Sequence, residues 1–291
     1  MIASQFQAIP AGIRYMLLSA LGFALMAACV KQVAGYGIPV LEIVAARALV
    51  SLLISYLDVK RKKISVWGQH HGLLLARGIV GALALVCVFY AVTTMPLASA
   101  TLLQYLHPAF TAVLAWLFLK ERIQRATLIC IGLSLAGLVV IINPGLLAQQ
   151  VGSLPPLSLA AALLGSFGSA LAYVIVRRLS RVEDSSVIIF YFPLIALPLS
   201  LLLLGDDFVM PGPEAFGLLV LVGIFTQLGQ VGLTKAMQHG SAGKATAYSY
   251  VQVIFAFVLG WVFFEEIPSL ATWLGGALII GGALVNALGK R

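Results

Sequence analysis

Charge is what this sequence has least of. Asp, Glu, Lys and Arg make up 10% of its 291 residues, against 61% hydrophobic residues and a mean hydropathy of +1.05. An ordinary soluble domain carries about 25% charged residues, so a water-soluble globular fold is excluded and a lipid bilayer is the expected solvent. Acid is scarcer than base: of the ten Asp and Glu, Glu42 alone falls within an apolar stretch, close to its outer end, and none falls near the centre of one. A carboxylate relay for protons across a membrane therefore lacks its groups. Cysteine is also sparse. Cys29, Cys87 and Cys130 lie inside apolar stretches with no CxxC spacing, which argues against a disulfide framework or a metal site and leaves them as small packing residues. No GxSxG, HExxH or P-loop occurs, and His70 and His71 stand in a basic loop without partners at metal-site spacing. An intramembrane enzyme would need a nucleophile with its base, paired aspartates or a metal cluster; none is present, and no cofactor is expected.

What the chain does have is long apolar runs. Ten recur, over residues 13–33, 40–57, 72–93, 97–118, 126–142, 157–176, 187–204, 216–236, 243–263 and 270–288. Each is about long enough for a helix to cross a ~30 Å hydrocarbon core. They are apolar all round instead of alternating, and lipid forces every backbone N–H and C=O to pair within its own segment. The expectation is an all-α integral membrane protein of ten transmembrane helices. The first run is preceded by Arg14 alone as a cation and lacks a small-residue cleavage site, so it is read as a retained helix and not a signal peptide.

The net charge of +8 acquires meaning from its position. With the N-terminus inside, the inner segments hold Arg14, Lys60, Arg61, Lys62, Lys63, Lys120, Arg122, Arg125, Arg177, Arg178, Arg181, Lys235, Lys244, Lys290 and Arg291, which are 15 of the 18 bases. Lys31 alone lies toward the other side, and Arg47 and Arg77 lie within spans. This bias follows the positive-inside rule and puts both termini in the cytoplasm. Nucleic-acid binding would need the bases gathered on one solvated domain, whereas here they mark topology against membrane lipid.

Sliding the chain over itself by 145 residues sets Ala100, Thr101, Tyr105, Phe110, Leu114, Trp116, Phe118 and Glu121 opposite Ala245, Thr246, Tyr250, Phe255, Leu259, Trp261, Phe263 and Glu266. Gly72, Leu73, Leu74 and Gly78 fall opposite Gly217, Leu218, Leu219 and Gly223 in the same register. Such self-similarity marks an internal repeat, here residues 1–145 and 146–291. A unit of five spans crosses the membrane an odd number of times, so the second copy must be inverted relative to the first. Inverted repeats are a recurrent architecture of secondary transporters, because halves that exchange conformations open a central site to either side.

The stretch MPLASATLLQYLHPAFTAVLAWLFLKERI, with Pro108 and a helix-ending Glu121, resembles the repeat unit of the drug/metabolite transporter superfamily, EamA type. The second copy, GKATAYSYVQVIFAFVLGWVFFEEIPS, keeps Glu266 but has Val253 where Pro108 would align. More faintly, the segment from Arg77 to Glu121 is similar to solute carrier subfamily G and to bacterial S-adenosylmethionine carriers. The resemblance implies two five-helix repeats around a cavity lined by the first, third and fourth helices of each.

Polar residues in the spans are the candidate substrate contacts, since an ionisable group in lipid costs at least a few kcal/mol. Arg47 is read either as attracting an anionic group or as a structural arginine bonded to helix carbonyls. Arg77, about one and a half turns from its helix end, is read as snorkelling to the interface. Thr101, Gln104, Tyr105 and His107 form a polar stripe on the fourth span, matched on the ninth by Thr246, Ser249, Tyr250 and Gln252; Tyr90, Gln227 and Gln230 are candidates on the third and eighth. The alternative is that such groups bond neighbouring helices. Trp116 and Trp261 are read as interfacial anchors, and Glu121 and Glu266 as helix-end pairing or gating groups. A cavity with arginine and phenols but no acid favours an amino acid, an S-adenosylmethionine-like zwitterion or an organic acid. The expected function is alternating-access transport of such metabolites, as an exporter, uniporter or exchanger in a cell inner membrane, with a monomer plausible. A passive channel is the alternative, and proton coupling through His107 is the minority reading.

Overall fold

The computed structural model describes residues 11–119, 125–142, 155–239 and 251–288. Their regular structure is helical throughout, in eleven helices: α1 (Ala11–Ala34), α2 (Val40–Lys62), α3 (His71–Thr94), α4 (Leu97–Gln104), α5 (His107–Leu119), α6 (Arg125–Ile142), α7 (Pro156–Leu179), α8 (Ser185–Leu204), α9 (Pro213–His239), α10 (Val251–Phe264) and α11 (Leu270–Leu288). Seven stretches are long and apolar enough to cross a membrane, with shorter apolar helices at Leu128–Val140, Val251–Phe264 and Leu270–Gly282. Large apolar side chains such as Leu53, Leu83, Leu128 and Leu202 point out of the bundle, where lipid replaces water.

The fourth expected span, 97–118, is not one helix. Pro108 has no N–H to return to the carbonyl of Gln104, four residues back. The chain responds with tighter bonds, Tyr105 N–H reaching Leu102 O at 3.0 Å and Leu106 N–H reaching Leu103 O at 3.2 Å, before α5 starts. The freed Gln104 carbonyl is taken up by His107 Nδ1 at 2.9 Å and by Ser166 Oγ of α7 at 3.2 Å. Because a carbonyl only accepts, His107 donates from Nδ1.

Helix ends are tied by charges of the kind their dipoles favour. The Glu183 carboxylate accepts the Gln69 and His70 N–H groups, both at 2.6 Å, just before α3. Asp184 caps α8 through Ser186 N–H at 2.8 Å and pairs with Lys62 at 3.0 Å. Partial burial pushes the Asp184 carboxyl up, but the Ser186 N–H and Lys62 outweigh it and hold the group below its ordinary value. At the far end, Glu266 pairs with Lys31 at 2.5 Å and accepts Leu97 N–H, at the start of α4, at 2.8 Å. Lys31 also donates to Met95 O at 2.7 Å, so one ion pair gathers α1, the α3–α4 turn and the end of α10.

Packing repeats under the 145-residue shift. The pair α1 and α9 corresponds to α7 and α3, α2 packs on α8, and α6 on α11. A methyl group at Gly78 would collide with Ile195, and one at Gly223 with Val50, the residue matching Ile195. Likewise a methyl at Gly137 would meet Gly275 O at 2.5 Å, and one at the matching Gly282 would meet Cys130 O, the mate of Gly275, at 3.0 Å. Small residues let backbones approach where lipid offers no hydrophobic drive between helices.

Candidate functional site

The bundle encloses a cavity of about 170 Å³ between the two halves of the chain. It is lined by Met16 to Met26 of α1, Arg77 to Val88 of α3, Ser169 to Val176 of α7 and Gln230 to Thr234 of α9, joined by Arg47, Phe192 and Gln252. These are the first part of α1 and the last parts of α7 and α9, so the cavity lies toward the ends that carry Arg14, Lys60 and Arg177. The opposite end is filled by a core including Val30, Val33, Ile43, Phe89, Met95 and Leu97, each at or below 2% exposed, beneath the Lys31–Glu266 pair.

Arg47 is 2% exposed. Its Nε donates to Thr226 Oγ1 of α9 at 2.8 Å, and its guanidinium carbon lies 4.9 Å from the Phe192 ring and 5.6 Å from that of Phe89. Phe192 is the residue 145 positions after Arg47, and Gly81, against which Phe192 packs, is the matching residue to Thr226. The guanidinium carbon of Arg77 sits 5.0 Å from the same Phe192 ring, and Arg77 is 8% exposed. The expectation that Arg77 snorkels is thus corrected: its side chain turns into the bundle, where Gly81 leaves room for Nη1. Sequence reasoning also missed Tyr173, whose ring stacks on His107 at 5.0 Å. Arg77 is flanked by Ala76 and Gly78, which set no direction for it, whereas Tyr173 follows Ser166 and Ser169 at helical spacing, a polar stripe that could have marked it.

Six of the sequence candidates line the cavity: Arg47, Gln104, Tyr105, His107, Gln230 and Gln252. Gln104 Nε2 donates to Ser169 Oγ at 2.8 Å, and Tyr105 donates to Gln252 Oε1 at 2.8 Å, joining α4 to α10. Three do not line it. Thr101 Oγ1 donates back to Leu97 O at 2.7 Å, Gln227 Nε2 is spent on Ser55 Oγ at 3.0 Å, and Tyr90 lies toward the closed end. Thr101 and Gln227 thus serve local and helix-to-helix bonding, the alternative use of polar groups in a bundle. Thr246, Ser249 and Tyr250, together with Glu121, fall outside the described residues. Trp116 and Trp261 are exposed at 51% and 66%, on the outside of the bundle. Among the described residues no cluster of His, Cys, Asp or Glu could hold a metal ion.

Residues 10–143 and 156–288 each match the EamA-like transporter family. The chain belongs to that family. It is 34% identical over 281 residues to the pseudopaline exporter CntI of Pseudomonas aeruginosa, covering 96% of this chain and 97% of that protein. It is 31% identical over 290 residues to human solute carrier family 35 member G1, covering 95% of this chain and 78% of that one. A riboflavin transporter of Brucella anthropi is 29% identical over 255 residues, 85% of this chain and 88% of its own length. A solved crystal structure with 22% identity aligns over 92% of this chain and 95% of its own with a TM-score of 0.66, which shows the shared fold. An EamA-like chain of this kind is a multi-pass membrane transporter of small molecules, not an enzyme.

Proposed function

We propose that the chain is a secondary carrier that moves small metabolites bearing an acidic group, amino acids, S-adenosylmethionine-like zwitterions or organic acids, by alternating access. The observation that carries this reading is Arg47: a guanidinium at membrane depth, 2% exposed, facing a central cavity and, among the described residues, hydrogen-bonded only to a neutral hydroxyl. A buried cation of that kind costs several kcal/mol unless a partner compensates it, and an anionic solute is such a partner. Ten transmembrane helices in two inverted repeats, residues 1–145 and 146–291, fit the contacts that recur at 145 residues, since a pseudo-twofold bundle has two equivalent ways to close. The basic ends then face the cytoplasm with both termini inside, in a cell inner membrane, and the cavity lies on that side while Lys31–Glu266 closes the other. Uniport or exchange is favoured over proton coupling, because no carboxylate among the described residues lines the cavity and His107 Nδ1–H is spent on the Gln104 carbonyl. The closed end favours a carrier over a passive channel.

The test is uptake into proteoliposomes holding the purified protein, with labelled amino acids, S-adenosylmethionine, organic acids and polyamines, with and without preloaded unlabelled solute. Saturable uptake of an acid or zwitterion, stimulated by preloading, is expected. Unsaturable flux would make the protein a channel, and preferential movement of polyamines would overturn the substrate class.

A further inference from the structure

We propose that the cavity is built for a ligand carrying two negative charges, a dicarboxylate or a phosphate monoester, held by Arg47 and Arg77 together. The inference rests on the carrier reading above and narrows its substrate. Both guanidiniums lie over one aromatic ring, that of Phe192, at 4.9 and 5.0 Å. A cation over a ring gains less than taking an ion out of water costs. Hydrogen bonding does not close the gap. Among the described residues, Arg47 Nη1 and both Nε and Nη1 of Arg77 are buried without a hydrogen-bond partner, and none of the ion pairs involves either arginine.

Two like charges in one low-dielectric cavity also repel each other. A singly charged ligand removes one debt and leaves the second cation bare. A doubly charged ligand settles both, and guanidinium forks suit carboxylate and phosphate oxygens alike. The cavity is shaped to keep the second arginine in place: a side chain at position 81 would strike Arg77 Nη1 and the Phe192 ring, and Gly81 has none. Beside the guanidiniums, Ser169 and Gln230 offer neutral polar contacts, and Phe23, Met26 and Leu85 wall the space for a short hydrocarbon skeleton.

The experiment uses the full chain in vesicles of neutral phosphatidylcholine, which supply no anionic lipid headgroup. Counterflow of labelled succinate and glycerol 3-phosphate is compared with that of lactate and alanine. One uncompensated charge is worth at least ~1.4 kcal/mol, so the doubly charged solutes should exceed both singly charged lactate and zwitterionic alanine by at least ~10-fold. Arg77→Gln should erase that preference and Arg77→Lys, eluting as monodisperse protein like the parent, should restore part of it. Which of succinate and glycerol 3-phosphate moves faster assigns the anionic group. Equal handling of both charge classes, an unchanged ratio in Arg77→Gln, or exchange of zwitterions with no flux of either dianion would overturn the inference while leaving the carrier standing. Saturable flux of no acidic or zwitterionic solute would overturn both.

Discussion

Gly81 is the residue on which the shape of the site turns. Adding a single methyl there, Gly81→Ala, pushes it into Arg77 Nη1 and the edge of the Phe192 ring. Overpacking of this kind costs about 1–3 kcal/mol, and the easiest relief is to swing Arg77 off the ring. The expected outcome is a fall in solute exchange of roughly tenfold or more, with the melting temperature in detergent lowered by only a few degrees; unchanged exchange would mean that Arg77 does not touch the solute. Reading single residues from the sequence worked where chemistry alone decides. Arg47 was visible because a cation in the second span has no cheap lipid-facing pose. Arg77 was not, because in α3 the flanking residues are apolar on every side, so hydropathy cannot set the rotation of the helix. Gln227 and Thr101 were indistinguishable from Gln230 and Tyr105 for the same reason. Gln227 finds Ser55 only through tertiary packing, whereas Thr101 turns back on Leu97 O within its own helix, a local bond that competes with any cavity-facing pose.

At the scale of elements, the clearest device is the Lys31–Glu266 pair, which binds the end of α1, the start of α4 and the end of α10. Its side chains are 16% and 20% exposed, between a surface pair and a buried one, so losing it should cost about 1–3 kcal/mol. That is enough to raise the population of an open far end by roughly tenfold. Cys29, two residues from Lys31 and packed against the core there, reports on the opening. With Cys87 and Cys130 changed to serine, Glu266→Gln should raise the rate at which a membrane-impermeant maleimide applied to that side labels Cys29 by about the same factor. Equal rates in the two proteins would mean that the pair is not a closure. Glu266 was legible as a helix-end group because the shift by 145 residues matched it to Glu121. The interruption between α4 and α5 was only half legible: Pro108 announces a lost bond, but where the helix gives way depends on Ser166 of α7 being in reach to donate to the freed Gln104 carbonyl. That acceptor–donor meeting is set by packing.

For the whole molecule, spans and repeat are written in the sequence at long range, in the length of its apolar runs and in the register of Tyr, Trp and Glu. What no periodicity discloses is the contact between halves, such as Phe192 meeting Arg47, because residues so far apart share no local signal. The pair of bare arginines then carries an electrical consequence. In an inside-negative membrane each elementary charge is worth about 2.3 kcal/mol per 100 mV. An empty carrier with two fixed positive charges is drawn to the state whose cavity faces the negative side, and a carrier neutralised by a dianion is indifferent to the voltage. On the dianion-carrier reading proposed above, with the basic ends in the cytoplasm, voltage resets the empty protein toward that side and leaves the loaded one free to turn outward, so the membrane potential would drive export. A rapid succinate jump on proteoliposomes adsorbed to a capacitive electrode should produce a transient current, and Arg47→Gln/Arg77→Gln should abolish it; a silent electrode with a protein that exchanges succinate would mean that the two charges do not move through the field.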